Sequence, residues 1–203
     1  VAPRIRELVT DTVVVTRTLK TITLAEGAVD DMAAPVLGKD NPYVGVYAKP
    51  DGIHLRIIAR GTSRAEANTM MLAVEKDLRY IFQDTIWGTD NETVEESVAI
   101  LFQEKCLTLA TMESCTGGLL ANTITNVPGS STYFKGGIVA YTNHLKTASG
   151  VPASVIEEHG AVSPQTAEAM ARVVRQSIDA DFGIGITGVA GPEPLEDKPP
   201  GTV

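Results

Sequence analysis

The 203-residue chain carries 17 basic and 25 acidic side chains, for a net charge of −8, and is 43% hydrophobic. That make-up is typical of a globular protein; no run of about 18 apolar residues supports a membrane-spanning helix, and two scattered cysteines, Cys106 and Cys115, support neither a disulfide framework nor a zinc site. The charge is uneven, with 11 basic against 12 acidic residues up to Asn91 and 6 against 13 from Glu92 onward, so no nucleic-acid partner is expected for the second half, whereas a small anion needs only a few local donors.

The opening Val1-Ala2-Pro3-Arg4 has neither an initiator methionine nor an apolar signal core. A piece of a longer chain is therefore expected, with the reducing cytoplasm as its setting.

In chain order, Thr12–Lys20 reads as a strand through Val13, Val15 and its β-branched threonines. Leu24–Leu37 reads as a helix stopped by Gly38, and Val44–Tyr47 and Ile53–Ala59 as strands on either side of the hairpin chemistry Pro50-Asp51-Gly52. Ser63–Phe82 places Met70, Val74, Leu78 and Phe82 on one face of a long helix. Thr85–Asn91 breaks the pattern with turn residues. This divides a small α+β module, residues 1–88, from a second domain, residues 89–203.

The second domain alternates helix and strand. Glu92–Glu104, Cys115–Asn126 and Val162–Ile178 read as helices, the last opened by Ser163 as N-cap and Pro164 at the first helical position. Leu107–Met112, Gly137–Tyr141 and Phe182–Thr187 read as strands. The alternation predicts an α/β class, a three-layer domain with a substantially parallel sheet, in which ligands sit beyond the carboxyl ends of the strands.

Three polar, glycine-rich stretches follow those strands. In Glu113-Ser114-Cys115-Thr116-Gly117-Gly118, a helix N-terminus would offer free amides to an oxyanion or to a phosphate, and the sequence does not choose between them. Tyr141-Thr142-Asn143-His144-Leu145-Lys146 places a tyrosine at a strand end and a lysine shortly after, while Thr187-Gly188-Val189-Ala190-Gly191-Pro192 forms a third loop. Each alone reads as an ordinary turn or surface loop, but together they mark one sheet edge. His144 has no acidic partner in sequence and reads as a surface residue. Cys115 follows an exposed serine, so its thiol is expected to face the core. Glu113 either orients Lys146 or a ligand's hydroxyls, or caps the turn.

These motifs, with Pro128-Gly129-Ser130-Ser131, Gly160-Ala161-Val162-Ser163 and Lys198-Pro199-Pro200-Gly201-Thr202-Val203, resemble the C-terminal domain of the CinA family in order and spacing. The first half is similar to that family's KH-like connecting module through Asn41-Pro42, Tyr47 and Ile53–Ala59. It lacks a basic Gly-x-x-Gly clamp, so no RNA is expected there.

The resemblance implies a nicotinamide-nucleotide amidohydrolase that converts nicotinamide mononucleotide to nicotinic acid mononucleotide and ammonia, without metal or cofactor. It implies Ser114 as nucleophile, Lys146 as general base and Tyr141 as an assisting group. Glu113, Thr116, Gly117, Gly118, Asn143, Thr187, Gly188 and Gly191 are the expected substrate contacts. A homodimer with no membrane partner is expected, as is a continuation beyond Val203 carrying an arginine suited to the phosphate. For a lysine to serve as base near neutrality its pKa has to fall from about 10.4 toward about 7–8, which burial can supply. The reading from another class is a regulatory module that holds a nucleotide without hydrolysing it.

Overall fold

The structure, a computed structural model, describes residues 12–203. The reading of Val1–Arg4 lies outside them. Two compact units divide the described residues, one up to Ser97 and one from Val98 onward. Among the described residues no helix is long and apolar enough to cross a membrane.

The first unit is an antiparallel sheet with helices against it. Strands β1 (Val13–Thr21), β2 (Tyr43–Lys49), β3 (Gly52–Gly61) and β4 (Ile86–Thr89) lie in the order β2-β3-β1-β4. Lys49 faces Gly52 across the Pro50–Asp51 hairpin. Helices α1 (Glu26–Ala33) and α2 (Arg64–Phe82) complete the unit. Alternation along β3 sends Ile53, Leu55, Ile57 and Ala59 into the core, where they join Leu78 and Phe82 of α2. Full burial of a side chain such as Leu55 or Phe82 contributes about 1.5–3 kcal/mol.

The α2 start is capped by two side chains. Ser63 accepts the Glu66 amide at 3.2 Å, and Glu66 accepts the Thr62 amide at 2.7 Å. Its core face uses Ala67, Met71, Val74 and Leu78, with Met70 only partly buried, because an α-helix drifts off a strict spacing of four. Strand β4 occupies a stretch whose residues read as a turn. Pairing with β1 supplies the order, and Asp90 reinforces it by accepting from Arg17 Nη1 at 2.6 Å and from the Thr18 amide at 2.8 Å.

The second unit is built on a parallel sheet, β5 (Leu109–Glu113), β6 (Phe134–Val139) and β7 (Phe182–Ile186), in the order β6-β5-β7. Helix α3 (Val94–Glu104) precedes β5, and α4 (Leu119–Thr125) links β5 to β6. Two short helices, α5 (Asn143–Ala148) and α6 (Ala153–His159), lead to α7 (Pro164–Ser177), which precedes β7. Along β5, Ala110 and Met112 join Met170 and Val174 of α7, whereas Leu109 joins Ile124, Tyr133 and Ala99. Alternate residues of the central strand thus feed two separate cores, as the layered α/β class requires.

Strand β7 packs backbone against backbone. A Cβ at Gly183 or Gly185 would run into the carbonyl oxygen of Ala171 or Ala167 in α7. Because the chain leaves β5 for β6 on one side and returns as β7 on the other, the exit of β5 is the sheet's topological switch point, where such folds open a crevice.

Candidate functional site

The three strand exits are held side by side. Glu113 stands opposite Val139 and Ile186, the Ser114 amide donates to the Ile186 carbonyl at 2.9 Å, and the Ala140 amide donates to the Glu113 carbonyl at 2.8 Å. The residues one step beyond the sheet are therefore brought together by ladder geometry.

Ser114, 5% exposed, opens a turn in which the Gly117 amide donates to the Ser114 carbonyl at 3.0 Å. Gly117 and Gly118 have φ of 60° and 97°, a left-handed backbone that helical residues cannot adopt. Helix α4 consequently begins at Leu119, not at Cys115 as the sequence pattern suggested. Its first amides are also taken, since the Glu113 carboxylate accepts from Leu120 at 3.0 Å and from Ala121 at 2.8 Å. The free helix N-terminus expected for an oxyanion or phosphate is filled from within, and Glu113 is a cap. Burial opposes ionisation of Glu113, but the Thr116 hydroxyl and the amides of Ala121, Leu120 and Gly118 outweigh it and hold its pKa below the usual carboxylate value.

Lys146 arrives from the neighbouring exit. Thr142 caps α5 by accepting the Leu145 amide at 3.2 Å, which sets Lys146 as the one buried residue of that helix, 2% exposed. Its Nζ donates to Ser114 Oγ at 3.0 Å. Ser114 Oγ in turn lies 3.4 Å from the Tyr141 carbonyl. No carboxylate pairs with Lys146 within salt-bridge distance among the described residues. Burial pushes its pKa down, and the neighbouring Cys115 and Glu196 offset this only in part. A desolvated amine at hydrogen-bond distance from a serine hydroxyl is the arrangement a lysine general base needs.

A cavity of about 370 Å³ opens over this pair. Ser114, Tyr141, Asn143 and Lys146 line it from one side, and Thr187, Gly188 and Gly191 from the other. Four predicted substrate contacts do not line it: Glu113, Thr116, Gly117 and Gly118 belong to the turn and cap beneath. Thr187 is held by donating to the Ala161 carbonyl at 2.7 Å. Gly188 permits a close approach, for a Cβ there would stand 2.5 Å from the Thr202 carbonyl oxygen and 2.9 Å from Cys115 Sγ. His144 is exposed on α5.

Two residues were misjudged or missed. Cys115 lines the cavity and does not turn into the core. The turn lets consecutive residues face the same side, which strand alternation would forbid. Glu196 drew no attention in the sequence, yet its carboxylate accepts the amides of Ala161 at 2.7 Å and Val162 at 3.0 Å. Its partners lie some 35 residues away, so no local signal reports the contact. Among the described residues, no group of three His, Cys, Asp or Glu side chains could hold a metal ion.

Fold and site together define a layered α/β domain with a buried serine–lysine pair at the switch point of a parallel sheet. The chain belongs to the CinA family: residues 91–203 match the CinA C-terminal domain, and residues 16–88 match the damage-inducible protein CinA KH domain. A competence-damage inducible protein of Moorella thermoacetica is 44% identical over 193 residues, covering 94% of this chain and 47% of the relative. A CinA-like protein of Koribacter versatilis is 40% identical, over 94% and 47%. The chain thus spans about half the length of the curated relatives it matches. The crystal structure of the competence/damage inducible protein CihA from Agrobacterium tumefaciens aligns with a TM-score of 0.50 at 38% identity, over 52% of this chain and 66% of that one. A competence or damage-inducible protein from Enterobacter asburiae aligns at 0.51 with 34% identity, over 54% and 72%.

Proposed function

We propose that the second unit is an amidohydrolase that converts nicotinamide mononucleotide to nicotinic acid mononucleotide and ammonia by a serine–lysine mechanism. The observation that carries this reading is the 3.0 Å contact between Lys146 Nζ and Ser114 Oγ, with the lysine 2% exposed. The substrate itself comes from the family resemblance.

In this reading the neutral Lys146 amine takes the Ser114 proton as Oγ attacks the carboxamide carbon. The tetrahedral intermediate collapses when Lys146 returns that proton to the leaving nitrogen, releasing ammonia and leaving an acyl ester on Ser114. Water, deprotonated by Lys146, then attacks the ester carbon. Lys146 gives that proton to the departing Oγ, which regenerates Ser114, and the acid product sheds its own proton to solvent and leaves as a carboxylate. Of the residues in the Cys115–Gly118 turn only Cys115 lines the cavity, so its amide is the donor this reading offers the intermediate's oxyanion. Tyr141 and Asn143 contribute to the wall against which the nicotinamide ring would lie.

The test is ammonia release from nicotinamide mononucleotide by the complete protein, with the acid product identified by chromatography. Tight nucleotide binding without ammonia would instead favour a non-catalytic nucleotide-binding module.

A further inference from the structure

The loop that leaves β7 comes back over the cavity and is tied down by one side chain. Leu195 and Lys198 exchange backbone hydrogen bonds at 3.1 and 3.0 Å around Glu196 and Asp197. Both turn residues have positive φ, 52° and 58°, a conformation that L-residues adopt reluctantly. The turn aims the Glu196 carboxylate at residues 160–162. Each oxygen takes one amide, Oε1 from Ala161 and Oε2 from Val162.

Gly160, at φ 83°, completes the seat, because a Cβ there would run into that carboxylate. The same strip is held from its other side by the Thr187 hydroxyl on the Ala161 carbonyl. Ala161, Val162, Thr187 and Leu195 all line the cavity.

We propose that Glu196 is a positioning residue for the Ser114–Lys146 site, latching the Gly188–Leu195 wall onto Ala161 and Val162 so that the pocket for the carboxamide is set before substrate arrives. This rests on the amidohydrolase reading above. The groups around Lys146 are Cys115 from the β5 exit, Tyr141 from the β6 exit, His144 on its own helix, and Glu193 and Glu196 from the loop after β7, with Lys198 beside Glu196 at 3.9 Å. Of these, Cys115 and Glu196 act to keep the Lys146 proton in place. The latch therefore also carries a charge effect on the base.

The test uses Glu196→Ala and Glu196→Gln in the complete protein; the glutamine keeps one acceptor and sets an amino group against the other amide. Hydrogen exchange at residues 187–201, and at Ala161 and Val162, is expected to quicken, with β5 and α7 as protected as before. With nicotinamide mononucleotide, KM is expected to rise and kcat/KM to fall by roughly 10–100-fold, the scale of a slightly misplaced site. The acidic limb of the kcat/KM profile should move to lower pH, since loss of the carboxylate lets Lys146 shed its proton sooner. A merely structural tie would not move that limb. Unchanged exchange at 187–201 overturns the latch. Faster exchange with unaltered kcat/KM and an unmoved acidic limb overturns the positioning role. If the parent protein releases no ammonia but the variants loosen the loop, the latch stands and the amidohydrolase reading falls.

Discussion

Glu113 and Ser114 are adjacent at the end of β5 yet serve opposite sides of the sheet edge: the carboxylate of the first takes the Leu120 and Ala121 amides of α4, while the hydroxyl of the second meets the Lys146 amine. One peptide unit thus anchors the following helix and presents the candidate nucleophile. The glutamate fixes the turn from which the serine emerges, although it does not itself line the cavity.

Glu113→Gln should therefore destabilise the domain, by about 1–3 kcal/mol, because a buried acceptor pair loses one charge-assisted partner. The sign with pH follows from the lowered carboxyl pKa. Its stabilisation is present above the ordinary value of 4.5 and is lost as pH falls through the folded-state value. Urea titrations should show the gap between parent and variant narrowing in acid. A gap that stays constant with pH would contradict the capping role.

Lys146→Met is expected to abolish turnover and raise stability. The unfolded lysine has a pKa near 10.5, and the folded one lies lower. Below the folded value both states are protonated and the parent bears the full cost of a buried ammonium; the cost disappears as pH rises toward the unfolded value. The variant should gain about 0.5–2 kcal/mol near neutrality, with the gain shrinking in alkali, as thermal unfolding across pH would show. A less stable variant at neutral pH would mean that Lys146 is held by favourable charge contacts.

Gly188→Ala forces a methyl group between the Thr202 carbonyl oxygen and Cys115 Sγ. Overpacking of this kind costs about 1–3 kcal/mol, and the displaced loop should lower kcat/KM as well. Normal stability with normal kinetics would show that the wall yields freely.

Cys115→Ala should leave kcat within a few-fold of the parent, even though the thiol lines the cavity, because the Lys146 amine is hydrogen-bonded to Ser114 Oγ. Loss of several orders of magnitude, with the fold intact by circular dichroism, would move the nucleophile to the thiol.

The sequence was most legible where pattern and length agree. Nineteen residues of α2 and fourteen of α7 show a helical stripe and an N-cap serine, and each begins right after that serine. Helices α5 and α6, of six and seven residues, make too few turns for a stripe to appear, so the pattern assigned neither as helix. Strand β4 was hidden for a different reason. Four residues with turn formers around them gain their order from β1, not from their own propensity.

At the site, Ser114, Tyr141 and Lys146 stood out through their family motifs and their position after strands. The Cys115–Gly118 turn was taken as helix because the pattern was carried straight through Gly117 and Gly118, whose positive φ breaks the backbone there. Glu196 was invisible because its meaning lies in two amides far off in the chain.

Lys146 as the base is tested most directly by ammonia release from nicotinamide mononucleotide in Lys146→Ala and Lys146→Arg variants of the complete protein. The alanine variant should lose about 10²-fold or more in kcat, the usual contribution of a general base. The arginine variant should fail nearly as badly, because a guanidinium keeps its proton at any accessible pH. Substrate affinity should suffer less than turnover in both. A lysine that only anchored the phosphate would show a raised KM in the alanine variant and recovery with arginine, and an active Lys146→Arg enzyme would contradict the serine–lysine mechanism.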